Sequence, residues 1–431
     1  MTLPTPIQTS LRLLDMALES RFGEIQDAFA PQLRSLASAD VLRAAWASEI
    51  AKQGVVKSVG VPFSESAGPG VIVVKVPLAC EKGAMTLIVS MTESLDLVGL
   101  QLATITAAAP TAEWEPPNYV DEQVFDEREI MLSSGLLAVP GTISIPSSPG
   151  LKPAAVLLSG SGPNDRDETL GRNKPLKDLA WGLASHGVVT LRFDKVSYAH
   201  PKGVKSQDFT LFTEYVPDTV AAVRLLEELP EVDAKRIFLI GHSLGGTVAP
   251  RIATKEPSIA GLVILAGGAQ PLHWAIIRQL RYLASLDPAS AKAAQSTIDA
   301  LVEQAVFIDS PDFSALTSST DLLLGIPAQY WLDLRDYDPV AFAKELQMPI
   351  LVLQGARDYQ ATEADDLSLW SAGLAAQSEV TFRIYPTDNH LFFRGTGPST
   401  PAEYEPAQHM DRSVIADIAA WIFTGTLPSL P

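Results

Sequence analysis

One cysteine, six histidines and a shortage of positive charge narrow what this 431-residue chain can do. Cys80 alone cannot form an intrachain disulfide, a cysteine-based zinc site or a paired-thiol redox centre, and its apolar surroundings mark it as a structural residue. Against 50 Asp and Glu there are only 32 Lys and Arg, a formal net charge of −18, so neither nucleic acid nor an anionic membrane is expected as a partner. No uninterrupted apolar run is long enough to span a bilayer. Met1 to Ile7 lacks the basic stretch and apolar core of a signal peptide, which makes the cytoplasm the expected compartment. No histidine precedes His186, so the first part of the chain lacks the usual base for nucleophilic chemistry. What the chain does have is length enough for more than one domain and 47% apolar residues with which to build cores.

The most informative stretch is Gly241-His242-Ser243-Leu244-Gly245. Arg236 to Ile240, just before it, is a short apolar run typical of a buried parallel strand, and the residues from Gly246 onward can continue as a helix. A serine in the sharp turn between such elements is held in a strained conformation, with its Oγ at the carboxyl edge of the sheet. The flanking glycines remove the Cβ clashes that would block that turn. A bare G-x-S-x-G also arises by chance in long chains, and the strand-turn-helix context is what gives this one weight.

A nucleophile in this turn requires an acid and then a histidine after later strands. Pro349 to Gln354 reads as one such strand and runs into Gly355-Ala356-Arg357-Asp358; Glu379 to Tyr385 reads as another and runs into Pro386 to His390. Asp358 and His390 therefore fall at the same sheet edge as Ser243, in the order Ser, Asp, His, with Asp388 as the reserve acid. His242 adjoins the nucleophile and reads as a structural residue packed beneath the turn. One oxyanion donor is expected to be the backbone N–H of Leu244, and the second an N–H of Gly160 or Ser161, in the loop after the strand Ala154 to Leu158. Between Gly160 and Ser161 the sequence does not decide. That loop lacks the Lys-Ser/Thr of a phosphate-binding P-loop, and no metal or organic cofactor is required by such a site.

Several motifs together resemble one group of proteins. These are Gly160 to Asp167, Asn173 to Pro175, Asp178 to Trp181, Arg192-Phe193-Asp194-Lys195, Gly241 to Gly246, Gly355 to Asp358 and Asp388 to His390. The group is the bacterial esterase-like α/β-hydrolases with a small cystatin/NTF2-like α+β domain in front of the catalytic domain. The resemblance covers most of the chain from about Glu122 and implies a serine carboxylesterase acting on short or medium acyl esters. It also implies Ser243 as nucleophile, His390 as base and Asp358 as its orienter. Group members commonly follow the Asp-Lys pair with Arg-Gly, whereas Val196 to Ala199 follows Asp194-Lys195 here, in a loop expected to border the pocket.

The order of elements implies an α/β-hydrolase fold, a mostly parallel doubly wound sheet with a helical cap insertion and a small N-terminal α+β domain. Residues 1–106 show helical apolar spacing from Thr9 to about Ala51, then four strand-like runs near Val55, Val71, Met85 and Leu97, with turns at Ala67 to Gly70 and Glu81 to Gly83. Residues 107–120, with Pro110, Pro116 and Pro117, read as a linker. Residues 121–431 read as the catalytic domain, opening with a hairpin around Ser133 to Gly135. The strand-helix alternation breaks at about 268–347, the cap, which holds Trp274, Tyr282, Phe307, Phe313, Tyr330 and Trp331. A homodimer through the N-terminal domain or the cap is one expectation for partners; the other is a small-molecule ester or lactone. Lactone hydrolysis, acyl transfer or cyclisation in a biosynthetic pathway, and non-catalytic ligand binding are the competing readings, because fold alone does not separate them.

Overall fold

The computed structural model describes residues 5–34, 37–60, 62–66, 71–92, 94–105, 114–133, 137–201, 208–286, 288–319 and 322–428. The expected turn at Ala67 to Gly70, the tip of the opening hairpin at Ser134 and Gly135, and the first half of the linker lie outside the described residues. The chain divides into two compact units, Met1–Ala112 with Gln295–Thr297 and Glu113–Ala294 with Ile298–Pro431.

In the first unit, helices α1 (Pro6–Leu18), α2 (Phe22–Ala28) and α3 (Ala39–Gln53) precede strands β1 (Val56–Val59), β2 (Phe63–Ser66), β3 (Val71–Cys80), β4 (Ala84–Thr92) and β5 (Leu97–Ile105). Among the described residues these strands pair antiparallel, in the order β1-β3-β4-β5 with β2 also on β3. Alternation along β4 sends Met85, Leu87, Val89 and Met91 to one face, where they pack with Leu13 and Leu14 of α1 and Phe22 and Ile25 of α2. The strand the sequence did not reveal is β2, whose Phe-Ser-Glu-Ser composition carries a single apolar residue.

The second unit opens with the antiparallel hairpin β6 (Phe125–Ser133) and β7 (Ala138–Pro146). It continues through β8 (Lys152–Leu158), α4 (Pro175–Ser185), β9 (Val189–Phe193), α5 (Val196–Ala199), α6 (Leu211–Glu227), β10 (Val232–His242), α7 (Leu244–Ala253) and β11 (Ile259–Leu265). Helices α8 (Leu272–Ser285), α9 (Pro288–Asp309), α10 (Ala328–Arg335) and α11 (Pro339–Glu345) follow, then β12 (Ile350–Gly355), α12 (Ser368–Leu374), β13 (Val380–Tyr385) and α13 (Arg412–Thr424). Among the described residues the sheet runs β13-β12-β11-β10-β8-β9-β7-β6, parallel from β13 to β9.

Burial on both faces explains why these strands read as unbroken apolar runs. Val156, Leu239, Leu262 and Val352 face one core with α6, α7 and α10, while Leu157, Ile240, Val263 and Leu351 face another with α4 and α13. No helix among the described residues is long and apolar enough to cross a membrane.

The interval between β11 and β12 is helical, as its lack of strand patterning indicates. Its first helix, α8, is tied to the loop after β12. Asp366, fully buried, accepts hydrogen bonds from the backbone of Ala269 (2.9 Å), Gln270 (3.2 Å) and Thr362 (2.9 Å) and from Arg278 of α8 (2.6 Å). Tyr282 of α8 stacks on Tyr359, with ring centroids 5.0 Å apart. Removing the carboxylate takes the acceptor from three backbone N–H groups and the buried counter-charge from Arg278, so Asp366→Ala is expected to destabilise the fold by about 3–5 kcal/mol, read as a lower urea midpoint.

Candidate active site

Three loops at the carboxyl edge of the parallel strands bring Ser243, His390 and Asp358 into one hydrogen-bonded line. Ser243 sits between β10 and α7 with φ 53° and ψ −120°, the strained conformation the turn demands. The turn is so tight that a Cβ on Gly241 would lie 2.3 Å from the carbonyl oxygen of Gly245, and one on Gly245 would lie 2.7 Å from the carbonyls of Leu158 and Ser159. Ser243 Oγ is 3.0 Å from His390 Nε2, and His390 Nδ1 is 2.7 Å from Asp358 Oδ2. Since a carboxylate only accepts, Nδ1 carries the proton and Nε2 is left to accept from the serine hydroxyl.

Asp358 is held by more than the histidine. The backbone N–H groups of Gln360 (2.7 Å) and Ala361 (3.1 Å) donate to Oδ1, and Gln354 Nε2 donates to Oδ2 at 3.1 Å. The loop of His390 is shaped by Asn389, whose Oδ1 accepts from the backbone of Leu391 and Phe393, both at 3.1 Å. The partner of His390 Nδ1 is Asp358 and not the reserve acid Asp388, whose carboxylate accepts from Thr387 Oγ1 at 3.1 Å. Burial and the neighbouring Asp411 push the pKa of Asp388 up to about 7.

Of the two candidate donors in the loop after β8, the Gly160 amide is engaged, which corrects that expectation. It donates to Glu168 Oε1 at 2.6 Å. Ser161 N–H has no acceptor among the described residues, and neither has Leu244 N–H, at the first position of α7 where no intrahelical partner exists.

Glu168 is the residue sequence reasoning missed. The same Oε1 lies 3.0 Å from His242 Nδ1, while His242 Nε2 donates to the carbonyl of His390 at 2.9 Å. His242 is indeed packed beneath the turn, but as a link between the Gly160 loop and the His390 loop. Burial works against charge on its ring, yet the Glu168 carboxylate and the hydrogen bonds outweigh it and hold the pKa above its usual value. A non-glycine residue with φ of 53°, as Glu168 has, leaves no mark in a sequence.

The motifs that carried the resemblance also find each other in space. Arg166 Nε pairs with Asp194 (2.9 Å), and Arg192 Nε pairs with Asp167 (2.8 Å), which also binds Lys174 at 2.8 Å. The loop after β8 is thereby bolted to the end of β9. Val196 to Ala199, where the sequence departs from the group's pattern, forms the short α5, and Ser197 Oγ donates to Glu214 Oε1 at 2.6 Å.

Residues 155–407 match the model of the alpha/beta hydrolase family. This chain belongs to the alpha/beta hydrolase family. Esterase EstD from Thermotoga maritima is 37% identical over 345 residues, 80% of this chain and 78% of that one. A second relative, 2,6-dihydropseudooxynicotine hydrolase from Paenarthrobacter nicotinovorans, is 26% identical over 148 residues, 34% of this chain and 37% of that one. Among solved structures, Est1E from Butyrivibrio proteoclasticus is similar at 18% identity and a TM-score of 0.42, over 61% of this chain and 90% of that one.

The raised pKa of Asp388 has a consequence for stability. The unfolded chain ionises this group near 4, the folded one only near 7, so stability falls as pH rises between the two and the cost is complete above about 7. Asp388→Asn is expected to raise the melting temperature by about 2–5 °C at pH ~8, with no gain at pH ~4. Thermal unfolding at both pH values reads the difference.

Proposed function

We propose that this protein is a carboxylic ester hydrolase that works through an acyl-serine intermediate. The observation that carries this reading is the continuous line from Ser243 Oγ through His390 to Asp358, next to two backbone N–H groups without acceptors among the described residues. The 37% identity with an esterase over most of both chains supports the same reaction class.

His390 Nε2 takes the proton of Ser243 as Oγ attacks the ester carbonyl, and the oxygen that becomes negative is met by the N–H groups of Leu244 and Ser161. His390 then returns the proton to the departing alkoxide. A water molecule activated by the same nitrogen attacks the acyl-serine, releases the acid and restores the hydroxyl. Asp358, with three further donors on its carboxylate, keeps the imidazole in the right tautomer and offsets its charge as the proton arrives. No step draws on a group other than these side chains, the two amides and water.

Incubation with a fluorophosphonate followed by peptide mapping is expected to place one adduct on Ser243. Turnover of p-nitrophenyl esters should depend on acyl length. Ser243→Ala is expected to abolish both at unchanged melting temperature, and Asp358→Asn to reduce kcat by about 10³–10⁴-fold. Full turnover by Ser243→Ala would refute the assignment. An adduct without turnover would favour an acyltransferase or a ligand-binding protein.

A further inference from the structure

Lys195 belongs to a recognisable motif, yet the reaction as written gives it nothing to do. Its side chain is 3% exposed, in the second unit's interior at the end of β9. The ammonium donates to the carbonyl of Gly160 at 3.0 Å and to Tyr215 Oη at 2.8 Å, with Glu214 Oε1 3.1 Å away as its counter-charge. Tyr215 Oη donates to the same Gly160 carbonyl at 2.7 Å, and Asn164 Nδ2 does so at 3.1 Å. Three donors thus converge on one carbonyl oxygen.

That carbonyl belongs to the peptide unit whose N–H is that of Ser161. In a planar trans peptide the C=O and N–H point in opposite directions. Gripping the oxygen on one side therefore aims the Ser161 N–H to the other, and that N–H has no acceptor among the described residues. The nucleophile is adjacent: a Cβ built on Gly160 would stand 3.0 Å from Ser243 Cβ and 3.5 Å from its Oγ. A cation bound to the carbonyl also polarises the peptide, making its N–H a stronger donor to a developing negative oxygen.

We infer that Lys195 is a positioning residue for the oxyanion site, fixing and polarising the Gly160–Ser161 peptide through the Gly160 carbonyl with help from Tyr215 and Asn164. The inference rests on the acyl-serine reading above and extends it in two ways. It selects Ser161 as the second donor. It also connects that donor to the cap, because Glu214, the partner of Lys195, accepts from Tyr330 of α10 through Oε2 at 2.6 Å. An ion pair kept only for stability would leave the preference for the transition state over the substrate unchanged.

The test uses the full chain with three variants: Lys195→Met, the double variant Lys195→Met/Glu214→Gln, which leaves no unpaired buried charge, and Tyr215→Phe. Each is assayed for kcat and KM on a p-nitrophenyl ester, for inhibition by a trifluoromethyl ketone of matching chain length, and for melting temperature. The ketone forms a hemiketal oxyanion on Ser243, so its affinity reports the donors directly. Loss of Lys195 is expected to lower kcat by about 10–100-fold with KM changed less than about threefold, and ketone affinity should fall in proportion to kcat/KM. Tyr215→Phe should give a smaller loss of the same kind, about 3–10-fold. If neither Lys195 variant folds, Tyr215→Phe decides alone. Folded variants with kcat and ketone affinity within about twofold of wild type would overturn the inference, as would a rise in KM alone. Wild-type protein that neither turns over the ester nor binds the ketone would overturn the acyl-serine reading itself, and this inference with it.

Discussion

Everything at the site depends on how closely the turn around Ser243 approaches the loop after β8. With 2.7 Å between a Cβ on Gly245 and the carbonyls of Leu158 and Ser159, no side chain fits between the two segments. That closeness sets the Gly160 loop beside the nucleophile, where a Cβ on Gly160 would stand 3.0 Å from Ser243 Cβ. It also has an energetic cost, since Ser243 is held at positive φ. The parallel strands on either side supply the offsetting stability: β8, β10 and β11 are buried on both faces and cannot shift without opening two cores.

A loop brought this close must be held there, and charged side chains do much of the holding, beside the neutral Tyr215 and Asn164. Arg166, Asp167 and Glu168 are consecutive residues that point to three separate partners: Asp194, Arg192 and the His242–Gly160 pair. Each ion pair is at least partly desolvated, so breaking one leaves a charge that water reaches poorly. The geometry is thus defined by several expensive alternatives rather than by packing, which suits a loop with two glycines and little apolar surface of its own.

The parts of the site that were legible in the sequence are those where a single residue type is required at a fixed place in the chain order. Gly241, Ser243 and Gly245 announce the turn because nothing larger fits, and Asp358 and His390 follow from strand counting. The apolar runs of β8 and β10 to β12 identify the doubly buried sheet for the same reason: burial on two faces leaves no polar positions. What stayed hidden were contacts between residues far apart in the chain. Glu168 and His242 are 74 positions apart and join across two loops. The difference between Gly160 and Ser161 lies in a contact of the same kind: the Gly160 amide is taken by Glu168, eight positions on, which local spacing does not reveal. In the first unit β2 escaped notice because a short strand with one apolar residue has no period to read.

The tie between α8 and the loop after β12 has a meaning for how such a protein can diversify. Arg278 and Tyr282 grip the segment that also presents Asp358, through Asp366 and Tyr359. A change in α8 that loosens either contact would also disturb the loop that carries Asp358. Variation is cheaper in the stretch between α9 and α10, where Leu316 and Leu324 are exposed. The two ends of the insertion would then diverge at different rates, the α8 end slowed by the loop it holds.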